Sequence, residues 1–335
     1  MNLRDLGSRA AQTTASTLRD YAGLARARTL ARYWMASGRG QEAVLEVGRL
    51  VRENQRARES LSTYDRLSSM ITSGAEAPAD LSPDSSAPEC FVFFVGYSRS
   101  GHSLVGSLLD AHPSVAISHE LHAARHLRRG AAFDRVQRAI QLNAFFFDYF
   151  GRGYSGYDYE VPDQSQGRVD RLRVLGDKKA NGTTRLLRRD PSLASRLREQ
   201  IPAPVRFVHV VRNPFDNIVT KARRTRTSLR WAADIYLSHV AAVEALKRTE
   251  GDAIRDVFLD DLIASPAEEL SGLLRWLRAG DPPEGYLEAC SAVLFERPRR
   301  TRGQLAWPPD LLAEVRERLR ECEFLARFAD EPVSG

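Results

Sequence analysis

The chain has 335 residues, 43% of them hydrophobic and 27% charged, with a formal net charge of +6. Such a composition describes a globular protein long enough for one large domain plus an appendage, and it excludes a disordered or fibrous chain. The basic residues are spread along the sequence and form no aromatic-interleaved stripe, so no nucleic-acid partner is expected, while the positive balance suits an anionic ligand.

Only four of the 49 cations are lysines, namely Lys178, Lys179, Lys221 and Lys247, so the adjacent pair at 178–179 stands out. Cys90, Cys290 and Cys322 lack metal-ligand spacing and are too few for a disulfide framework. A reducing compartment follows. Residues 1–30 hold no apolar core of signal-peptide length, and no run approaches the roughly 20 apolar residues of a membrane span, so a cytoplasmic location is expected.

In chain order, residues 1–72 read as a helical N-terminal extension broken at Gly38-Arg39-Gly40. Residues 16–36 form a basic amphipathic face that packs on protein or makes peripheral membrane contact. Residues 73–89 are small, polar and proline-punctuated, a linker composition, so a main domain is expected over 90–330.

The organising stretch is Phe91-Val92-Phe93-Phe94-Val95, a strand buried on both faces, followed by Gly96-Tyr97-Ser98-Arg99-Ser100-Gly101-His102-Ser103. Leu104, Val105, Leu108 and Leu109 then carry helical spacing. Strand, glycine turn and helix together form a phosphate cradle. The loop nearly matches G-x-x-x-x-G-K-[ST], but His102 occupies the lysine position, so a single 5′-phosphate fits better than a triphosphate.

Further on, Ser114–Ser118 predicts a short strand ending at His119-Glu120, residues 121–150 a helical stretch, and 151–169 a surface loop of the kind that covers a site. Residues 173–179 predict a strand running into Asp177-Lys178-Lys179, and 205–211 a buried strand in which His209 is a core histidine. In Arg212-Asn213-Pro214-Phe215-Asp216, Asn213 as N-cap and Pro214 at the first helical position mark a helix start. A last strand is expected at 256–259, with amphipathic helices at 266–278 and 309–323. Alternating strands and helices predict an α/β fold, a central parallel sheet with helices on both faces. Ligands bind at the carboxyl ends of such strands, where the 96–103 loop, His119-Glu120, Asp177-Lys178-Lys179 and Arg212-Asn213 all converge.

These residues carry a resemblance. Gly96–Ser103 resembles the 5′-phosphosulfate loop, G-x-P-[RK]-S-G-T-[TS], of the PAPS-dependent sulfotransferases (PAPS is 3′-phosphoadenosine 5′-phosphosulfate). Arg212-Asn213-Pro214-Phe215-Asp216 with Thr220 eight positions after the arginine resembles their 3′-phosphate motif. Leu109–Pro113, with Glu120 21 residues after Arg99, is similar to the tyrosylprotein and carbohydrate branch, and Leu259-Asp260-Asp261-Leu262 with Pro266 to the Y-E-D-L…P segment. Ser98, His102 and Asp260 stand where the family usually has proline, threonine and tyrosine.

The resemblance implies a P-loop-like sulfotransferase fold and sulfuryl transfer from PAPS to a hydroxyl on a carbohydrate, lipid or small-molecule acceptor, releasing PAP (adenosine 3′,5′-bisphosphate). Ser98, Arg99, Ser100, Gly101, His102 and Ser103 would hold the 5′-phosphate, with Arg212 and Thr220 on the 3′-phosphate. Arg302, just before Gly303, echoes a C-terminal R-x-G phosphate contact. Glu120 would be the general base, Arg99 would stabilise charge on the leaving phosphate, and Lys178 would bridge the sulfuryl group or the 5′-phosphate. No metal is called for. The rival readings are a nucleotide-dependent kinase, disfavoured by the missing loop lysine, and a non-catalytic anion-binding scaffold. Neither the acceptor nor an oligomeric state is marked in the sequence.

Overall fold

The computed structural model describes residues 86–149 and 159–333. The expected extension over 1–72, the linker up to residue 85 and the first part of the 151–169 loop lie outside the described residues. What is described is a five-stranded, wholly parallel sheet in the order β2-β3-β1-β4-β5. The strands are β1 (Cys90–Val95), β2 (Val115–Ser118), β3 (Val174–Asp177), β4 (Val205–Val211) and β5 (Ile254–Phe258).

The sequence dictates this burial. β1 is fully buried along its length, and its side chains alternate between two cores. Phe91, Phe93 and Val95 enter one core with residues of α2 (Ala123–Arg128), α3 (Phe133–Tyr149) and α5 (Leu193–Gln200). Cys90, Val92 and Phe94 enter the other, with α1 (His102–Asp110), α9 (Pro266–Leu277) and α10 (Tyr286–Ala292). A third cluster joins α6 (Pro214–Thr225), α7 (Leu229–Glu250) and α11 (Pro309–Glu321) beyond the end of β4. α4 (Ala180–Arg189) follows β3 directly, and α8 (Leu259–Ala264) follows β5. The fold is the expected one: a parallel sheet sandwiched between helices.

Three local expectations change. The helical stretch at 121–150 is two helices, because the chain turns at Gly130 with φ +85°. The described end of the 151–169 loop is anchored and covers no site: Val161 and Gln166 are buried, Gln166 Nε2 donates to the Ser107 carbonyl, and the Ser165 and Gly167 amides donate to Ala111 and Asp110. That fixes it to the far end of α1, away from the glycine loop. Glu120 lies in the turn beyond β2 and not at the strand's end, because β2 stops at Ser118. Among the described residues no helix is long and apolar enough to cross a membrane, and all three cysteines are buried and unpaired with one another.

Candidate active site

The carboxyl ends of β1, β2, β3 and β4 meet on one edge of the sheet, and each contributes one part. From β1 comes the loop Gly96–Ser103. Its Gly96 amide donates to Thr184 Oγ1 on α4 (2.7 Å), and Ser100 Oγ donates to the Tyr97 carbonyl (3.2 Å). Gly101 caps α1 in the left-handed region at φ +98°, and a Cβ there would meet the Leu259 side chain at 3.1 Å. Only glycine suits the position. The first-turn amides of α1 have no partner inside the helix and, with the helix dipole, favour an anion.

His102 packs in this loop with Nδ1 3.3 Å from Ser100 Oγ. Burial, then the charge of Lys178, push its imidazole down to about 3 against the opposing pull of Glu120. The ring is therefore neutral at physiological pH and brings hydrogen-bonding capacity without charge. Arg99 sits half-buried in the loop at φ +74°.

The end of β3 supplies Lys178 and Lys179. Lys178 is 2% exposed and its Nζ donates to Ser103 Oγ at 3.0 Å and to Glu120 Oε1 at 3.1 Å. Lys179 Nζ donates to the other carboxylate oxygen, Oε2. The side chain of Lys178 reaches this point by passing over Gly106 of α1, where a Cβ would lie 2.9 Å from Lys178 Cγ. Burial alone would raise the Glu120 carboxyl, but Lys178 and Lys179 outweigh it and hold the group down at about 2.

The turn after β2 is strained. Among the described residues seven non-glycines have positive φ, and Arg99, Glu120 (φ +65°) and His122 (φ +66°) are three of them, all at this edge of the sheet. His119 is turned away: it is 2% exposed, with Nε2 3.9 Å from Asp110 Oδ2 and its amide on Asn143 Oδ1. Of the two neighbours, Glu120 is the one beside the loop.

From β4 comes Arg212. Asn213 caps α6 as its sequence announced, Oδ1 accepting from the Phe215 and Asp216 amides at 3.0 and 3.3 Å. Arg212 Nη1 donates to Thr220 Oγ1, in the second turn of α6 (3.1 Å), and to the Arg99 carbonyl (3.4 Å), which ties the two loops together. Thr301 Oγ1 lies 2.9 Å from Thr220 Oγ1, and Arg212 Nη2 donates to the Arg299 carbonyl. Arg302 itself is engaged elsewhere: its guanidinium pairs with Asp216 (3.0 Å) and with Glu331. Asp216 also accepts the Thr301 and Arg302 amides. Arg302 thus braces the segment, and it is the preceding Thr301 whose hydroxyl joins the Arg212–Thr220 pair.

Sequence reasoning passed over Thr184, Gly106, Lys179 and Thr301. Lys179 was visible as half of a rare lysine pair; the other three make contacts with residues 72 to 89 positions away, and no spacing rule marks them.

Comparison with known families decides the class. The sequence profile described as the Sulfotransferase family matches residues 92–282, more than half of the chain. The chain belongs to the sulfotransferase family. The match spans β1 to α9 and includes the glycine loop, Glu120, the lysine pair and Arg212. Solved sulfotransferase structures resemble it at low identity. The sulfotransferase domain of the Synechococcus PCC 7002 olefin synthase is 17% identical over 75% of this chain and 98% of its own, with TM-score 0.42. Sulfotransferase STF9 from Mycobacterium avium is 13% identical, over 84% of this chain and 87% of its own, with TM-score 0.46. Mouse sulfotransferase SULT7A1, solved in complex with PAP, is 10% identical over 78% and 90%, with TM-score 0.40. No curated protein sequence matches the chain.

Proposed function

We propose that this sulfotransferase uses PAPS as donor and transfers the sulfuryl group to an acceptor hydroxyl on a carbohydrate, lipid or small molecule, with Glu120 as general base. The observation that carries the reading is the position of Lys178, whose Nζ touches the phosphate loop at Ser103 and the carboxylate of Glu120 at once. The donor set suits PAPS: a glycine loop with helix-terminal amides for a 5′-phosphate, and Arg212, Thr220 and Thr301 as a separate cluster for a 3′-phosphate. PAPS would supply the activated sulfuryl group.

The residues then divide the work. Arg99 and the Ser100–Ser103 amides would stabilise charge on the leaving 5′-phosphate. Glu120, ionised across the physiological range, accepts the acceptor's hydroxyl proton. Held by both lysines it is a weak base; when Lys178 turns its charge toward a sulfuryl oxygen, one of the two fields that depress Glu120 weakens and its basicity rises. Lys179 keeps the carboxylate aimed meanwhile. The chemistry rests on positioning and electrostatics, as in phosphoryl transfer.

The experiment is calorimetric titration with PAP beside ATP and Mg²⁺. Tight PAP binding that weakens in Arg212→Ala supports the reading. Binding of ATP–Mg²⁺ in preference to PAP overturns it in favour of a kinase.

A further inference from the structure

Glu120 sits on neither a strand nor a helix. It lies in a four-residue turn, His119–His122, that links β2 to α2, and two of the four residues hold positive φ. Left-handed backbone at two non-glycine residues is strained, so a turn of this kind persists only where its surroundings fix it.

One side chain grips the turn from both ends. Asp177, the last residue of β3, is fully buried. In register it lies beside Ser118, the last residue of β2. Its Oδ1 accepts the Ser118 hydroxyl (2.9 Å), immediately before the turn, and the His122 amide (3.3 Å) at the turn's end. Its Oδ2 accepts the Ala123 amide (2.9 Å), the first residue of α2. Three donors thus converge on one carboxylate that no water reaches. The next two residues along the chain are Lys178 and Lys179, which grip the Glu120 side chain.

We propose that Asp177 is a positioning residue for Glu120: its carboxylate clamps the backbone on both sides of the base, while the adjoining lysines fix the base's side chain. The inference rests on reading Glu120 as the base. A carboxylate suits the task better than an amide, because both oxygens accept and all three donors are met. Asparagine would set an NH₂ against one set of donors. Asp177 does not touch the reacting groups; it acts through the turn.

The test reads the turn and Glu120 directly, at about pH 7.5 where the Asp177 carboxylate is ionised, and needs no acceptor. In the full chain, hydrogen exchange of the His122 and Ala123 amides and the ¹³C shift of the Glu120 carboxylate, assigned by its loss in Glu120→Gln, are compared between the parent and Asp177→Asn. Release of the turn should speed exchange of both amides by about ten-fold or more and move the Glu120 shift toward that of a solvated carboxylate as the contacts to Lys178 and Lys179 are lost. A side chain that only fills space would leave the Glu120 shift at the parent's value. Ser118→Ala, which deletes one donor and leaves the charge, should give smaller changes in the same directions and serves if Asp177→Asn does not fold. Exchange and a Glu120 shift that stay at the parent's values in the folded variants overturn the proposal. PAP calorimetry run alongside reports on the other question: a parent that binds no PAP overturns the sulfotransferase donor reading and leaves the clamp to be judged by the exchange and the shift.

Discussion

Lys178 and Glu120 meet at 3.1 Å, and the lysine is buried while the carboxylate keeps about a third of its surface in water (2% and 30% side-chain exposure). The pair is therefore lopsided. The carboxylate is open to a molecule arriving from solvent, and the cation is confined between it and the glycine loop. Glu120→Gln should lower PAPS turnover by about 10²–10⁴-fold with PAP affinity within a factor of a few. Parent-level turnover in Glu120→Gln, measured with any acceptor the parent accepts, would remove Glu120 from the chemistry.

Arg212 is the hinge of the cluster proposed for the 3′-phosphate, bonded to Thr220, to the Arg99 carbonyl and to the Arg299 carbonyl. Loss of hydrogen bonds to a charged ligand costs about 1.5–3 kcal/mol, so Arg212→Ala should weaken PAP by roughly 10–150-fold in calorimetry. Arg212→Lys should recover part of this, since a point charge replaces the fork but not its two directions. ATP, which carries no 3′-phosphate, should be indifferent to both changes.

Gly106→Ala sets two effects against each other. Alanine improves a helix interior by about 1 kcal/mol over glycine. Here its Cβ would stand 2.9 Å from Lys178 Cγ, on a side chain held at its far end by Ser103 and Glu120. Overpacking of about 1–3 kcal/mol should win, so the variant melts lower and turns over more slowly while PAP binding at Arg212 is kept. A raised melting temperature with full turnover would show that Lys178 takes another route.

The pH profile should have an acid limb near 6 that belongs to Asp177. Burial raises the Asp177 carboxyl from 3.8 to about 6, against the pull of Ser118 and the Ala123 amide and with help from Glu120. Glu120 at about 2, His102 at about 3 and His122, lowered by burial and then by Lys179, at about 4 all titrate below that window. A carboxyl raised in the folded state gains stability as pH falls from about 6 toward 3.8, so protonating Asp177 loosens the clamp without favouring unfolding through this group. Glu120 runs the other way: its contribution is present above its unfolded value of 4.5 and is lost as pH falls toward 2. Turnover should thus drop between pH 7 and 5 while circular dichroism holds, and Asp177→Asn should erase the limb. A limb that persists in Asp177→Asn would assign it to another group.

Much of this was legible in the residues. The apolar run of β1, the glycine loop and the Asn213-Pro214 helix start announce themselves locally, and the structure keeps each where its pattern puts it. His209, expected as a core histidine, is fully buried with Nδ1 2.8 Å from Asp256. What the sequence hides are the contacts that cross the chain. Asp177 reads as the polar end of a strand, and nothing in its neighbourhood says that its oxygens meet residues 54 to 59 positions away. Glu120 was marked by its spacing from Arg99, but what separates it from its neighbour His119 is a left-handed turn after the strand has ended, which no spacing shows. Arg302 was marked by a short motif alone, and its two acidic partners, 86 and 29 residues away along the chain, could not be read from it.

The strand order has a consequence for how the protein comes apart. Among the described residues β2 borders the sheet and is joined to it only through β3, whereas β1 and β4, which carry the glycine loop and Arg212, are paired at its centre. Edge strands fray before central ones, and closing β2 onto β3 requires ordering the long excursion between residues 118 and 174. Hydrogen exchange should therefore release the amides of β2 and its turn at lower free energy than those of β1 and β4. On the proposed function, a partly frayed molecule would still hold PAP and would have lost Glu120 as base, so ageing or mild denaturant should abolish transfer before it abolishes PAP binding.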